Sequence, residues 1–309
     1  MIHSNGWRAA LVTVALAGLV AGCVDNAKQS TDGRLAEPAL SLPASEPEDI
    51  SNSARPLDAY GVSDDDSAVI FQALQKLLQD CMTKKGFTYK VEQLPTGAAQ
   101  SAAWIDPDNL GLISATAAAR TGYHRPSAQG KPDQGTAGNL PAQADDYKVA
   151  LNGFATPPAD GTQPKSRGCR GEADTRLRGD DKAGNGGTTN VVLVDQLRQR
   201  SYDAAVADSR IKAGKASWST CMSKKGYKYA APAEASAAAW PDPPSRTELD
   251  TAVADMACKK EAKLLGTWDA LISAYQTALI KKNEAGLQGV KEAVAARVTR
   301  AKAILGGRE

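Results

Sequence analysis

Five cysteines are the residues of this chain best suited to chemistry: Cys23, Cys81, Cys169, Cys221 and Cys258. A thiol can take a lipid, close a disulfide, bind a metal or act as a nucleophile, and the neighbours decide which. Cys23 stands alone after a short apolar run, Leu11 to Gly22, that ends Val20-Ala21-Gly22. The other four form an even set, which in an exported chain is read as two disulfides with three possible pairings.

Residues 1–22 read as an export signal, with Arg8 and the amino terminus supplying positive charge ahead of the apolar core. That core is too short for a membrane span, which needs about 20 residues. Val20-Ala21-Gly22-Cys23 resembles the lipobox of bacterial lipoproteins, with valine where leucine is usual. The resemblance implies a diacylglycerol on the Cys23 sulfur and cleavage before it. Two acyl chains are enough for stable anchoring where one is marginal. The protein is then held at the extracytoplasmic face of the cell membrane. Residues 23–55, rich in Ala, Ser, Pro and acids, read as a lipidated N-terminus and disordered tether with a reach of roughly 30 Å.

A repeat surrounds the remaining cysteines. Cys81-Met82-Thr83-Lys84-Lys85-Gly86-Phe87-Thr88-Tyr89 is answered by Cys221-Met222-Ser223-Lys224-Lys225-Gly226-Tyr227-Lys228-Tyr229. Ala102-Ala103-Trp104-Ile105-Asp106-Pro107 is answered by Ala238-Ala239-Trp240-Pro241-Asp242-Pro243, and Cys169-Arg170-Gly171-Glu172-Ala173 by Cys258-Lys259-Lys260-Glu261-Ala262. If the copies are equivalent, each closes its own bridge: Cys81 with Cys169, and Cys221 with Cys258. The expected organisation is a first cysteine unit over 56–185, with a long loop insertion, and a second over 186–309 with the C-terminal helices.

The elements that carry these cysteines read as helices. Val69/Ile70, Ala73/Leu74, Leu77/Leu78 and Cys81/Met82 share one face. Asp64-Asp65-Asp66 suit the first turn, Lys84-Lys85 the last, and Gly86 a left-handed cap. Ala204, Ala207, Ile211, Trp218 and Cys221/Met222 trace a similar face that ends at Lys224-Lys225-Gly226. Phe87/Tyr89 and Tyr227/Tyr229 are expected to fold back as core, and Glu172 and Glu261 to be helix-surface charge. Ser245-Arg246-Thr247-Glu248 reads as a capping box. Two amphipathic stretches, Trp268 to Leu279 and Leu287 to Leu305, predict a C-terminal helical hairpin with a turn at 283–286. The fold class is mainly α: a disulfide-braced helical domain of two repeat units with long irregular loops.

Composition narrows the function. The chain has 37 Lys+Arg against 35 Asp+Glu, and loss of Arg8 with the signal leaves a net charge of +1, which argues against nucleic acid as a partner. His124 is the one histidine after the signal, and no Gly-x-Ser-x-Gly elbow accompanies it. Zinc is poorly supported by one histidine. Asp106-Pro107-Asp108-Asn109-Leu110-Gly111 starts like a calcium loop, but Leu110 and Ala117 occupy ligand positions. No cofactor, metal or catalytic residue is assigned.

The lipobox and both cysteine units together resemble the cysteine-repeat lipoproteins of high-GC Gram-positive bacteria. That resemblance implies no reaction. The leading expectation is a non-catalytic binding or adaptor module at the cell envelope, with an envelope protein or wall polymer as partner. A cell-wall hydrolase with a carboxylate site and a solute-binding lipoprotein are the alternatives.

Overall fold

The first helix shows how the sequence builds this molecule. Helix α1 (Asp64–Lys84) starts where the Ser63 hydroxyl accepts the Asp66 amide hydrogen, and three aspartates fill its first turn. Ile70, Ala73, Leu77, Leu78 and Met82 face inward. It stops at Gly86, whose φ of 84° suits glycine, and Phe87 N–H donates to the Met82 carbonyl. The computed structural model describes residues 35–93, 105–106, 109–124, 144–156, 167–179 and 188–307. Cys23, Trp104 and the stretch 125–142 lie outside them.

The remaining elements follow in order. A short 3-10 helix (Pro56–Tyr60) precedes α1, and a two-stranded antiparallel hairpin pairs β1 (Ile105–Asp106) with β2 (Gly111–Leu112). Then come α2 (Ala115–Thr121), α3 (Asp145–Asn152), α4 (Gly168–Arg178), α5 (Thr188–Ala207), α6 (Ser209–Lys224), α7 (Pro232–Ser236), α8 (Arg246–Glu261), α9 (Leu264–Lys282) and α10 (Glu284–Leu305). The fold is mainly helical, with little strand among the described residues.

Two disulfides brace it, Cys81–Cys169 and Cys221–Cys258, joining α1 to α4 and α6 to α8. The local geometry at the two Cys-Met-x-Lys-Lys-Gly segments is the same. Both helices end at the second lysine's predecessor, both glycines have positive φ (84° and 92°), and Tyr227 N–H donates to the Met222 carbonyl as Phe87 does to Met82. Tyr89 is buried, while Phe87, Tyr227 and Tyr229 are half-buried.

Four expectations are corrected. The tether does not extend to residue 55, because residues 37–55 lie on the helices. Glu37 accepts from the Ser209 amide and hydroxyl, Glu46 from the Gly266 amide, and Glu48 pairs with Lys260. Asp49 bridges to Ser114, and Ile50 is buried. Acids in this segment therefore serve as caps and ion-pair partners as well as solubilising groups. Second, the face from Ala204 to Met222 belongs to two helices. Asp208, buried between them, caps α6 by accepting from the Arg210 amide. Burial disfavours its charge, but hydrogen bonds from Arg210 and Tyr275 outweigh that and hold its carboxyl below the usual range.

Third, α9 and α10 do not form a hairpin. They share the cap residue Asn283 but pack little on each other; α9 packs on α5 and α6, whereas α10 packs on α1, α4 and α5. Fourth, residue 185 is no boundary between separate bodies. Val298, Ala301 and Ile304 of α10 share one core with Leu77, Leu78, Met82, Cys169 and Leu177. Glu37–Glu309 is one compact unit.

Candidate functional site

The two cysteine helices that close the bridges carry a cation next to the cysteine, Arg170 on α4 and Lys259 on α8. Their surroundings differ. Lys259 is fully buried, and its Nζ lies 2.7 Å from Asp255 Oδ1 and 2.9 Å from Oδ2, and donates to the Leu112 carbonyl at 2.9 Å. Asp255 also accepts from Trp218 Nε1 at 2.8 Å and from the Tyr123 hydroxyl at 3.2 Å. Asp255 and Lys259 are one helical turn apart, so both point from α8 into the same core. Burial pushes the Asp255 carboxyl up and the Lys259 amine down, and their mutual attraction opposes both shifts. Asp255, Lys259 and Trp218 are all fully buried, and the cavities described below are lined by other residues.

A second carboxylate extends it. Glu248, also fully buried, accepts the Tyr123 amide hydrogen at 2.8 Å through Oε1. The expected capping box is therefore half formed. The Ser245 hydroxyl accepts from the Glu248 amide, but the Glu248 side chain turns inward. His124 Nε2 lies 3.0 Å from the Pro241 carbonyl oxygen and 3.2 Å from Glu248 Oε2. Tyr123 stacks on Trp240, whose indole N–H donates to Ala235. His124 thus clamps the Trp240 loop onto α8, and no hydroxyl or thiol nucleophile contacts it among the described residues.

Arg170 stands instead at an opening. Helix α4 turns Cys169, Ala173 and Leu177 into the core. Its other side, with Leu74, Asn152, Phe154 and α10, lines a cavity of about 430 Å³. Gly168 begins α4 against the end of α3. Its φ is 58°, and a Cβ there would lie 2.6 Å from the Gly153 nitrogen, so only glycine allows the approach. Three arginines line this cavity, Arg167, Arg170 and Arg297. Asp174 also lines it, and it is held by Arg178 one turn on and faced by Arg167 at 3.6 Å. Arg170 faces Glu92 at 3.9 Å across the rim, with half its side chain exposed. Arg297 Nε is buried and has no hydrogen-bond partner. Burial lowers the pKa of its guanidinium; Asp174 opposes the shift, and Arg178 and Arg300 add to it.

Two further cavities differ in kind. A groove of about 590 Å³ is lined by Arg55, Arg198, Asp195, Tyr202, Trp268 and Gln276, among others. Its cations are paired, Arg55 with Asp269 and Arg198 with Asp58 and Asp195, and Tyr202 meets Trp268 edge-on. A smaller one of about 210 Å³ lies between α2, α8 and the Pro47-Glu48 segment, mostly apolar with the Glu48–Lys260 pair in its wall.

Of the residues singled out from sequence, Cys81, Cys169, Cys221 and Cys258 are brought together as disulfides, and Cys23 lies outside the described residues. Glu172 and Glu261 are less remote than surface charge. Each carboxylate comes within 3.4 and 3.3 Å of a bridge sulfur, at Cys81 and Cys221 respectively. Asp106 accepts from Tyr202 and Asn109, and the Lys215 ammonium contacts Asn109, so that hairpin already holds its own cation. Among the described residues, no group of three His, Cys, Asp or Glu converges as metal ligands would. Sequence reasoning missed Asp255, Lys259 and Arg297. Opposite charges four apart on the Ala252–Met256 face marked the first two; nothing local marked Arg297. No family model, curated protein or solved structure matches this chain.

Proposed function

We propose that this is a lipid-anchored extracytoplasmic protein, built from two copies of one cysteine unit, that acts as a non-catalytic binding or adaptor module at the cell envelope. The observation that carries the reading is the pair of disulfides in a chain whose fifth cysteine follows an apolar run. Disulfides persist in oxidising compartments, where an export signal would deliver the chain. Matching helix ends and bridge-side glutamates in the two cysteine segments support the duplication. No helix among the described residues is long and apolar enough to cross a membrane, so the lipid on Cys23 supplies the attachment in this reading.

The test is cross-linking mass spectrometry on membranes carrying the protein, with Cys23→Ala as control and labelled palmitate to follow lipidation. The expected result is label on the wild type alone, with a recurrent envelope partner that disappears in the control. Label on Cys23→Ala, or a cytosolic wild type, would overturn the anchor. Scattered neighbours with no recurrent partner would overturn the adaptor role and favour wall polymer or a small ligand.

A further inference from the structure

Deepening that binding role, we infer that the cavity between α3, α4 and α10 is a site for a small phosphate-bearing ligand with an apolar portion. It rests on the binding reading but not on the lipid anchor. Three arginines line one cavity: Arg170 on α4, Arg167 just before it and Arg297 on α10. Asp174, the carboxylate that lines it, is already engaged by Arg178 and faced by Arg167. The cavity's described lining holds three arginines against one carboxylate, an excess of positive charge that an anion in the cavity would balance. Guanidiniums match phosphate oxygens in planar, two-point fashion, and several on one group are a common phosphate-binding solution. Leu74, Phe154 and Leu177 make the rest of the wall apolar, so the ligand carries a hydrocarbon or ring beside its charge. At about 430 Å³ the space suits a small molecule or a headgroup.

The second unit supports this by contrast. Three residues before Cys258 stands Asp255, the internal carboxylate that neutralises Lys259. Arg170, beside Cys169, has no such buried partner: it faces Glu92 at 3.9 Å, and both side chains are more than half exposed. One cation is neutralised inside the core, and the other stands at a cavity with a distant, exposed carboxylate beside it.

The experiment is calorimetric titration of the full chain, in non-ionic detergent, with phenyl phosphate, inorganic phosphate and benzyl alcohol. Phenyl phosphate is expected to saturate a single site and to bind at least tenfold more tightly than inorganic phosphate, with no saturation by benzyl alcohol. Arg297→Gln and Arg170→Gln should each weaken it tenfold or more, while Lys281→Gln, on an exposed helix face, should not. Should Arg297→Gln unfold, Arg170→Gln carries the test, because half of that side chain is in solvent. No saturation by wild type, or equal binding by the arginine variants, would overturn the site. Displacement of phenyl phosphate by phosphatidylglycerol vesicles assigns the ligand to a lipid headgroup, and displacement by glycerol phosphate alone assigns it to a soluble phosphate. If neither competes, the phosphate assignment fails. Loss of the Cys23 lipid leaves every one of these readings unchanged.

Discussion

The two cysteine segments reach the same backbone geometry with opposite interiors. Three residues before Cys81 is Leu78, and three before Cys221 is Trp218; both are buried to within 1%. Leu78 demands nothing of its neighbours. Trp218 buries an N–H that needs an acceptor, and Asp255 provides it. Burying Asp255 then requires a cation, and Lys259 follows one turn later. Near Cys169 the corresponding cation, Arg170, is free to face a cavity. One polar atom in the core therefore separates a segment that is sealed from one that is open. The difference teaches that a shared bridge and helix cap can fix a scaffold while the core beside it decides whether anything can bind.

The largest test of this comparison is to remove what the two segments have in common. In the chain-entropy picture the bridge Cys81–Cys169 spans 88 residues and Cys221–Cys258 spans 37. These closures are worth about 4.6 and 3.8 kcal/mol, so the first bridge should matter more. Full reduction would remove about 8 kcal/mol, comparable with the whole stability of a domain. Urea unfolding of the Cys81→Ser/Cys169→Ser and Cys221→Ser/Cys258→Ser forms measures each. A reversed order would mean that the strongly packed second core compensates less than its burial indicates.

The next test opens the sealed side. Asp255→Ala leaves Lys259 buried and unpaired and should cost about 3–5 kcal/mol in urea unfolding. A loss under about 1 kcal/mol would mean that Lys259 escapes to solvent and that the two segments are not so different. Arg170→Ala, half exposed and loosely paired with Glu92, should cost less than about 1 kcal/mol.

Alkali should strike the second side preferentially. Burial, with Asp255 beside it, holds the Tyr123 hydroxyl far above the ordinary tyrosine value, and burial with Asp208 raises Tyr275 as well. Folded-state values raised above the unfolded one give stability that is fully present below about pH 10 and is lost as pH climbs beyond it. For Tyr123 the loss approaches about 1.4 kcal/mol per pH unit while it ionises only in the unfolded chain. Urea midpoints between pH 9 and 11 should fall, and Tyr123→Phe should flatten the fall. An unchanged slope in that variant would exclude Tyr123 as its source.

The most local effect concerns the hairpin beside the second core. Gly111 has φ of 64°, and a Cβ there would lie 2.8 Å from the Pro232 carbonyl oxygen and against the Ser236 hydroxyl. Gly111→Ala should cost about 1–3 kcal/mol through strain and loosen the Leu112 carbonyl from Lys259. Faster hydrogen exchange in β2 and α8, with α1 and α4 unchanged, is the expected signature; uniform change would mean the two cores open together.

Much was legible from sequence because local rules governed it. Asp64 to Asp66, Lys84, Lys85 and Gly86 obey helix-end electrostatics and the left-handed cap, and α1 spans the stretch they bracket. The cysteine arithmetic and the repeat together led to the pairing that is present. Local rules also had limits. Asp208 lies inside an apolar stripe, and as an N-cap residue it marks the break between α5 and α6 that the stripe alone does not show. Residues 37–55 have the composition of a tether, and composition cannot see that Glu46 finds the free amide of Gly266 more than two hundred residues away.

The candidate site depended still more on tertiary structure. Arg297 sits on a helix nearer in sequence to the Cys221–Cys258 bridge, and the apolar face of Val298, Ala301 and Ile304 carries it to the core around Cys169. The sequence by itself determined α1 and its ends, the shared caps at Gly86 and Gly226, and the bridges, because those follow from short-range sterics, charge and spacing. Only the tertiary structure decided which cation is shut in with an acid and which faces a cavity, because that turns on desolvation, and desolvation is set by what packs from far along the chain.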